Sequence, residues 1–163
     1  MLKDFLPPHI YKVDSRQVYF DPVRKKYVPA TERETVRQRV VPYLMRELDV
    51  PRKMIRIGEK LSDYGLNEAR RADVVVEYFD RAENVLRPIA VVECKASENP
   101  LDEPALNEAF DYAEKLGCDY CLLTNGDRSL SFYLGAEEIV ALDSLPPYRE
   151  MIRARRRIAN QSE

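Results

Sequence analysis

The strongest constraint on how this chain folds lies between Asp73 and Lys95. Asp73-Val-Val-Val-Glu-Tyr-Phe79 and Leu86 to Lys95 are two runs rich in β-branched residues, separated by the turn-forming Asp80-Arg-Ala-Glu-Asn84. Such runs pair as an antiparallel hairpin. Side chains alternate along a strand, so Ile89 and Val91 fall on one face of the second run and Ala90, Val92 and Cys94 on the other. Apolar residues on both faces mark a central strand, covered from both sides, and the cover has to come from packed helices or further sheet.

The flanking segments supply that cover. Thr31 with Glu34 has the form of a capping box, and Val36, Val40, Leu44 and Leu48 follow at helical spacing, which predicts a first helix from about Thr31 to Leu48, kinked at Pro42. Pro104 suits a first helical turn, and Ala105, Leu106, Ala109, Phe110, Ala113 and Leu116 make an apolar stripe ending at Gly117, which predicts a second. Met54 to Gly58 and Tyr120 to Thr124 read as strands, Asn125-Gly126 as a tight turn and Leu130 to Leu134 as the returning strand. The stretch from Glu59 to Arg71 reads as an irregular loop, Ile10 to Val28 as a short hairpin, and Tyr148 to Ala159 as a basic helix after Pro146 and Pro147.

The expected fold class is therefore α/β, a central mixed sheet flanked by helices in the order αβββαβ. At 163 residues the chain fits one domain. Its core would span about 31–134, with a leader hairpin over 1–30 and a basic helix over about 148–159. Nearly half of the residues are apolar (45%) and a third are charged (33%), the balance of a folded globular protein. No apolar run approaches the roughly 20 residues that span a bilayer, and the leader lacks a signal peptide's apolar stretch. An odd cysteine count, 3, suits a reducing compartment, so a cytoplasmic location is expected and no membrane partner.

Chemistry concentrates at one end of the hairpin. Asp73 and Glu93 are equidistant from Glu83, so in a regular antiparallel pairing they stand opposite one another on one face, and Lys95 shares that face. A slip of one residue would separate them. Charges at the covered end of a central strand are costly unless they pair or bind metal. Two hard carboxylates suit Mg²⁺, which shares phosphate oxygens readily, and Lys95 beside them could orient or deprotonate a water. That set of groups describes phosphodiester hydrolysis.

Arg-Ala-Asp73-Val-Val-Val, followed across the turn by Val-Val-Glu93-Cys-Lys95-Ala, resembles the active-site hairpin of the PD-(D/E)XK nuclease superfamily. The wider pattern resembles the N-terminal nuclease domain of the restriction subunit of type I restriction enzymes. It includes Thr31-Glu-Arg-Glu34-Thr-Val-Arg-Gln38, Ala-Phe-Asp-Tyr112-Ala-Glu-Lys-Leu-Gly117 and Leu-Leu-Thr124-Asn-Gly126, and covers about Thr31 to Leu134. The resemblance implies a restriction-endonuclease-like core in which Asp73, Glu93 and the backbone carbonyl of Cys94 hold Mg²⁺, with Mn²⁺ able to substitute. Lys95 would serve the water, and Glu34 would approach the metal directly or through water. The family often carries glutamine where this chain has Glu108. The implied partners are DNA and the motor, specificity and methylation subunits of a restriction complex. Such nucleases often need two active sites to cut both strands, so the resemblance leaves open a homodimer, dependence on a partner, or nicking by a monomer. The same fold also serves catalytically silent domains that bind nucleic acid or dock a partner.

The remaining candidates have simpler readings. Glu34 is as well placed to cap its helix as to reach a metal. Cys118 and Cys121 have the spacing of one half of a zinc site, without a second pair to complete it, and read as small buried groups. His9 lies in the leader and reads as structural or exposed, whereas Tyr64 and Tyr112 are the tyrosines nearest the expected site. A net charge of −2 gives no global attraction to a polyanion, so any nucleic-acid surface must be local. Cations gather in the first half and again in the segment from Met151 to Asn160.

Overall fold

A computed structural model describes residues 1–162. The leader forms a three-stranded antiparallel sheet, β1 (Tyr11–Val13), β2 (Arg16–Asp21) and β3 (Lys26–Pro29), where a two-stranded hairpin was expected. The third strand exists because there are two turns. Asp14 and Ser15 both take positive φ in the first, and Asp21 closes the second by accepting the N–H groups of Val23 and Arg24 through Oδ1, each at 2.8 Å.

Helix α1 (Glu32–Arg46) follows and runs through Pro42. Thr31 caps it, its Oγ1 accepting the Glu34 N–H at 3.1 Å. The main sheet has six strands in sequence order: β4 (Ile55–Ile57), β5 (Val74–Asp80), β6 (Val85–Cys94), β7 (Tyr120–Thr124), β8 (Ser129–Leu134) and β9 (Ile139–Leu142). Helix α2 (Glu103–Leu116) crosses from β6 to β7, which makes that pair parallel; the other pairs are antiparallel. The order of α1, β4, β5, β6, α2 and β7 is the expected αβββαβ in an α/β fold. Strand β9 was not foreseen; it is a short, largely exposed edge that carries no hydrophobic alternation. The expected loop from Glu59 to Arg71 contains a 3₁₀ turn at Leu61–Tyr64 that buries Leu61 completely.

Cores lie on both faces of the sheet. On one face Val74, Val76, Ala90 and Val92 pack with Val36, Val40 and Leu44 of α1. On the other Val75, Val91, Cys121 and Leu123 pack with Ala105, Ala109 and Ala113 of α2. Strand β6 is thus the covered central strand that its sequence demands.

The β5–β6 hairpin is not regular, and its irregularity sets the register at the functional end. Asp80 pairs with Val85 and Glu77 with Pro88, so the ladder near the turn is centred between Ala82 and Glu83. Continued regularly, it would set Asp73 opposite Val92 and turn Glu93 to the other face. Instead a bulge between the Glu77–Pro88 and Val76–Ala90 pairs leaves Ile89 without a partner on β5, and Val74 pairs with Val92. The pairing expected from a centre at Glu83 is therefore restored where it matters. The same bulge brings Ile89 into the core with Ala90, not with Val91 as alternation predicts, and the Ile89 carbonyl accepts the Asp119 N–H at 3.0 Å.

Helix α3 (Tyr148–Gln161) is two residues longer than predicted and its first turns are docked on the core. The Tyr148 hydroxyl donates to the Glu77 carbonyl at 2.7 Å, Met151 is fully buried, and Arg155 pairs with Asp119. Among the described residues no helix is long and apolar enough to cross a membrane. Met151→Ala should cost about 2–5 kcal/mol of stability, since it opens a cavity where α3 meets the core. The shift in urea midpoint at unchanged slope measures it, and a shift of a few tenths would mean that α3 is not part of the cooperative core.

Candidate active site

Asp73 stands immediately before β5 and Glu93 near the end of β6, each one residue beyond the Val74–Val92 pair, and both are buried, Glu93 completely. Their parity is that of Val75 and Val91, so they lie on the α2 face at the end of the sheet. The Lys95 N–H is fixed to the Thr124 carbonyl of β7 at 2.8 Å, and its Nζ lies 3.4 Å from Glu93 Oε1. The Cys94 N–H donates to Asp73 Oδ2 at 2.8 Å, which brings the Cys94 backbone beside the acids. The structure thus brings together the three side chains and the one backbone position that the sequence singled out.

Two buried carboxylates side by side repel one another, and the structure counters this from α1. One nitrogen of Arg33, Nη2, donates to both acids, to Asp73 Oδ2 at 2.8 Å and to Glu93 Oε1 at 3.1 Å. Arg37, one turn later, pairs with Asp73 Oδ1 through Nη2 and donates to Glu34 Oε2 at 2.8 Å through Nη1. Glu34 also pairs with Arg24 and accepts Gln38 Nε2 at 3.0 Å, and Arg24 in turn holds the buried Asp21. The Glu34 carboxylate is therefore occupied by Arg24, Arg37 and Gln38, and it reaches Asp73 through Arg37. It does not complete a capping box, because the Thr31 N–H donates to the Pro29 carbonyl.

Burial works against a charged Asp73, but Arg37 and Arg33 outweigh it and hold this carboxyl below its ordinary range. Glu93 goes the other way. Its complete burial, together with the charge of Asp73, pushes it up to about 8, and its Oε2 is buried without any hydrogen-bond partner. Burial alone would lower Lys95, but the Glu108 carboxylate, accepting Nζ at 2.6 Å, and Glu93 raise it, so it carries its charge at neutral pH.

A groove of about 620 Å³ opens at this site, lined by Arg24, Lys26, Arg33, Arg37 and Arg71 around Asp73. Glu59 also lines it, and Arg24, Arg33 and Arg37 are paired with buried carboxylates, so Lys26 and Arg71 are its cations without a carboxylate partner among the described residues. Tyr112 is buried near the acids with Arg70 over its ring at 4.8 Å, and Tyr64 lies 3.5 Å from Glu77 instead. His9 is exposed and packs on Tyr11, and all three cysteines are free and buried.

The acid pair fits a hard divalent cation in two respects. Both carboxylates already share a single cationic nitrogen, and Glu93 Oε2 is a buried acceptor with nothing to accept. Among the described residues no three His, Cys, Asp or Glu side chains cluster as a ready cage. A magnesium ion, which keeps several waters and takes one or two carboxylates, does not need one.

Sequence reading missed Arg33 and Arg37. They sit four apart on α1, beside Glu34 and Gln38 at the same spacing, a polar double row on an otherwise buried face. That row was the available signal.

The family model described as type I restriction enzyme R protein N terminus (HSDR_N) matches residues 32–146. Among solved structures, a fragment described as an HsdR subunit of a type I restriction enzyme from Vibrio vulnificus is 34% identical over 53% of this chain, with a TM-score of 0.41. This chain covers 16% of that one. No curated protein matches.

The opposed shifts of the two acids give opposite stability effects in metal-free protein. With its pKa raised from 4.5 to about 8, Glu93 contributes stability fully below its unfolded value and loses it as pH rises through about 8. Urea midpoints in chelator between about pH 5 and about pH 9 should contain this decline, and Glu93→Gln should remove it. A variant that declines as steeply as wild type would refute the assignment. Asp73→Asn, which removes one of Arg37's two buried carboxylate partners and one of Arg33's, should cost about 3 kcal/mol or more at neutral pH.

Proposed function

The chain belongs to the family of type I restriction enzyme R protein N termini, and from this premise we propose that it is a Mg²⁺-dependent endonuclease domain that hydrolyses DNA phosphodiester bonds. The observation that carries the proposal is that Lys95 meets Glu93 while Arg33 joins Glu93 to Asp73, and Asp73 lies on the lining of a groove with four arginines. A divalent ion held by Asp73, Glu93 and the Cys94 carbonyl would supply the positive charge that stabilises the phosphate as negative charge builds on it. Mn²⁺ offers similar oxygen preference and would substitute.

The protein's own residues do the rest. Lys26 and Arg71, both exposed on the groove, take backbone phosphates as fixed cations, a sequence-independent attraction that salt weakens. Lys95, kept charged by Glu93 and Glu108, donates hydrogen bonds to the attacking water or to a phosphate oxygen and so orients the reacting groups. Glu34 acts at one remove, fixing Arg37, which fixes Asp73. Glu108 sets where the Lys95 ammonium points, a role open to a carboxylate as to a neutral amide.

The setting that goes with this reading is cytoplasmic, within a restriction assembly whose motor, specificity and methylation subunits deliver the DNA. A homodimer would bring two sites to the two strands. A second reading, a catalytically silent domain of the same fold that binds nucleic acid, is favoured by one feature: Lys95 is closer to Glu108 than to Glu93.

Supercoiled plasmid distinguishes the two. With Mg²⁺ or Mn²⁺ the full chain should nick it, and Asp73→Ala or Lys95→Ala should lower the rate about 100-fold or more. Plasmid that stays supercoiled with either metal, while still shifting in a gel, would support the silent reading.

A further inference from the structure

Arg33 differs from the other arginines of the site in what holds it. Arg37 is 15% exposed and anchored at both ends of its guanidinium, on Glu34 and on Asp73. Arg24 is tied to Asp21 and Glu34. Arg33 is 48% exposed, and its recorded partners are the two buried acids, both contacted through a single nitrogen. It also lines the basic groove, so its guanidinium has somewhere to go without crossing a barrier of packed side chains.

We infer that Arg33 is a built-in counter-ion for the Asp73–Glu93 pair that sets the site's affinity for a divalent cation by occupying the carboxylates until the cation displaces it. This rests on the proposed metal role of the two acids and adds to it a competitor supplied by the chain itself. The physical reason is mutual exclusion. A divalent ion between these oxygens and a guanidinium nitrogen at 2.8 and 3.1 Å from the same oxygens repel one another at close range in a buried setting. The weaker-anchored cation moves. Arg37 stays, because Glu34 keeps it, and Asp73 remains compensated on its Oδ1 side throughout. Released, Arg33 remains in the groove as a further cation for phosphate. The site therefore exchanges one form of charge compensation for another, and the acids are not left bare between them.

Competition of this kind lowers apparent affinity by the fraction of time the ligands are free. Calorimetric titration of the full chain with Mn²⁺, for wild type, Arg33→Gln, Arg33→Lys and Asp73→Ala, tests it. Arg33→Gln should bind about tenfold more tightly than wild type, the factor expected if the guanidinium vacates the acids about a tenth of the time. Arg33→Lys, which keeps a charge but not the planar fork, should fall between them. In chelator Arg33→Gln should melt below wild type, and Mn²⁺ should raise its melting temperature by the larger increment. Equal or weaker binding by Arg33→Gln and Arg33→Lys, with Asp73→Ala silent, would overturn the role of Arg33 and leave the metal pair standing. Absence of binding in all four proteins would overturn both.

Discussion

Two carboxylates buried side by side at the end of a covered strand are the constraint around which the rest of this structure is organised. Left alone they would be untenable, since each loses its hydration and both carry the same charge. The chain answers with an alternating series that crosses the whole domain face: Asp21, Arg24, Glu34, Arg37, Asp73, Arg33, Glu93, Lys95 and Glu108, each paired with the next. The series contains five acids and four bases, so one negative charge is left over, and the site relieves it at Glu93, where burial and Asp73 favour the proton. It also explains why the leader sheet and α1 sit where they do. The leader delivers Asp21 and Arg24, and the first two turns of α1 deliver Arg33, Glu34 and Arg37 around the end of the sheet.

A register only one residue different would dismantle this arrangement. The turn dictates one pairing and the functional end uses another, and the bulge at Ile89 is the device that reconciles them. Pro88 fits there because it has no N–H to lose from the ladder, and Ile89 can be spared from the β5 pairing because its carbonyl accepts the N–H of Asp119, the residue just before β7. The bulge is thus fixed by neighbours on both sides rather than tolerated, and the acid pair inherits its alignment from a feature far along the strand.

Much of this was legible in the chain. The apolar runs on both sides of Asp80–Asn84 specify a central strand, the stripe on α2 specifies its cover, and a charge pair after Ile-Ala-Val-Val marks the candidate site. The pairing of Asp73 with Glu93 also follows from symmetry about Glu83, although by the wrong route, since the turn is not centred there. What was not legible is long-range and electrostatic. No periodicity announces that Arg33 will share one nitrogen between acids 40 and 60 positions away, or that Glu108 will take Lys95. Strand β9 lacks a pattern because an exposed edge does not require one. Helix α3 looked like a solvated basic helix because its arginines outnumber the two residues, Tyr148 and Met151, that bury it.

The burial that makes Glu93 costly is also what makes the site useful. An exposed acid pair would be compensated by water and would gain little from a divalent ion. A buried pair with one unpartnered oxygen would gain a great deal on the proposed reading, because an ion would replace both the missing hydration and a guanidinium that satisfies only part of the set. The arginines of α1 offset the charge of the buried acids, and on the proposed metal role their unequal anchoring would decide what changes when a cation binds. A fully pinned Arg33 would stabilise the fold and close the site, whereas its absence would open the site and burden the fold. On that proposal its half-exposed, weakly held position lies between those extremes, where folding without metal and binding of metal would both be accessible to the same sequence.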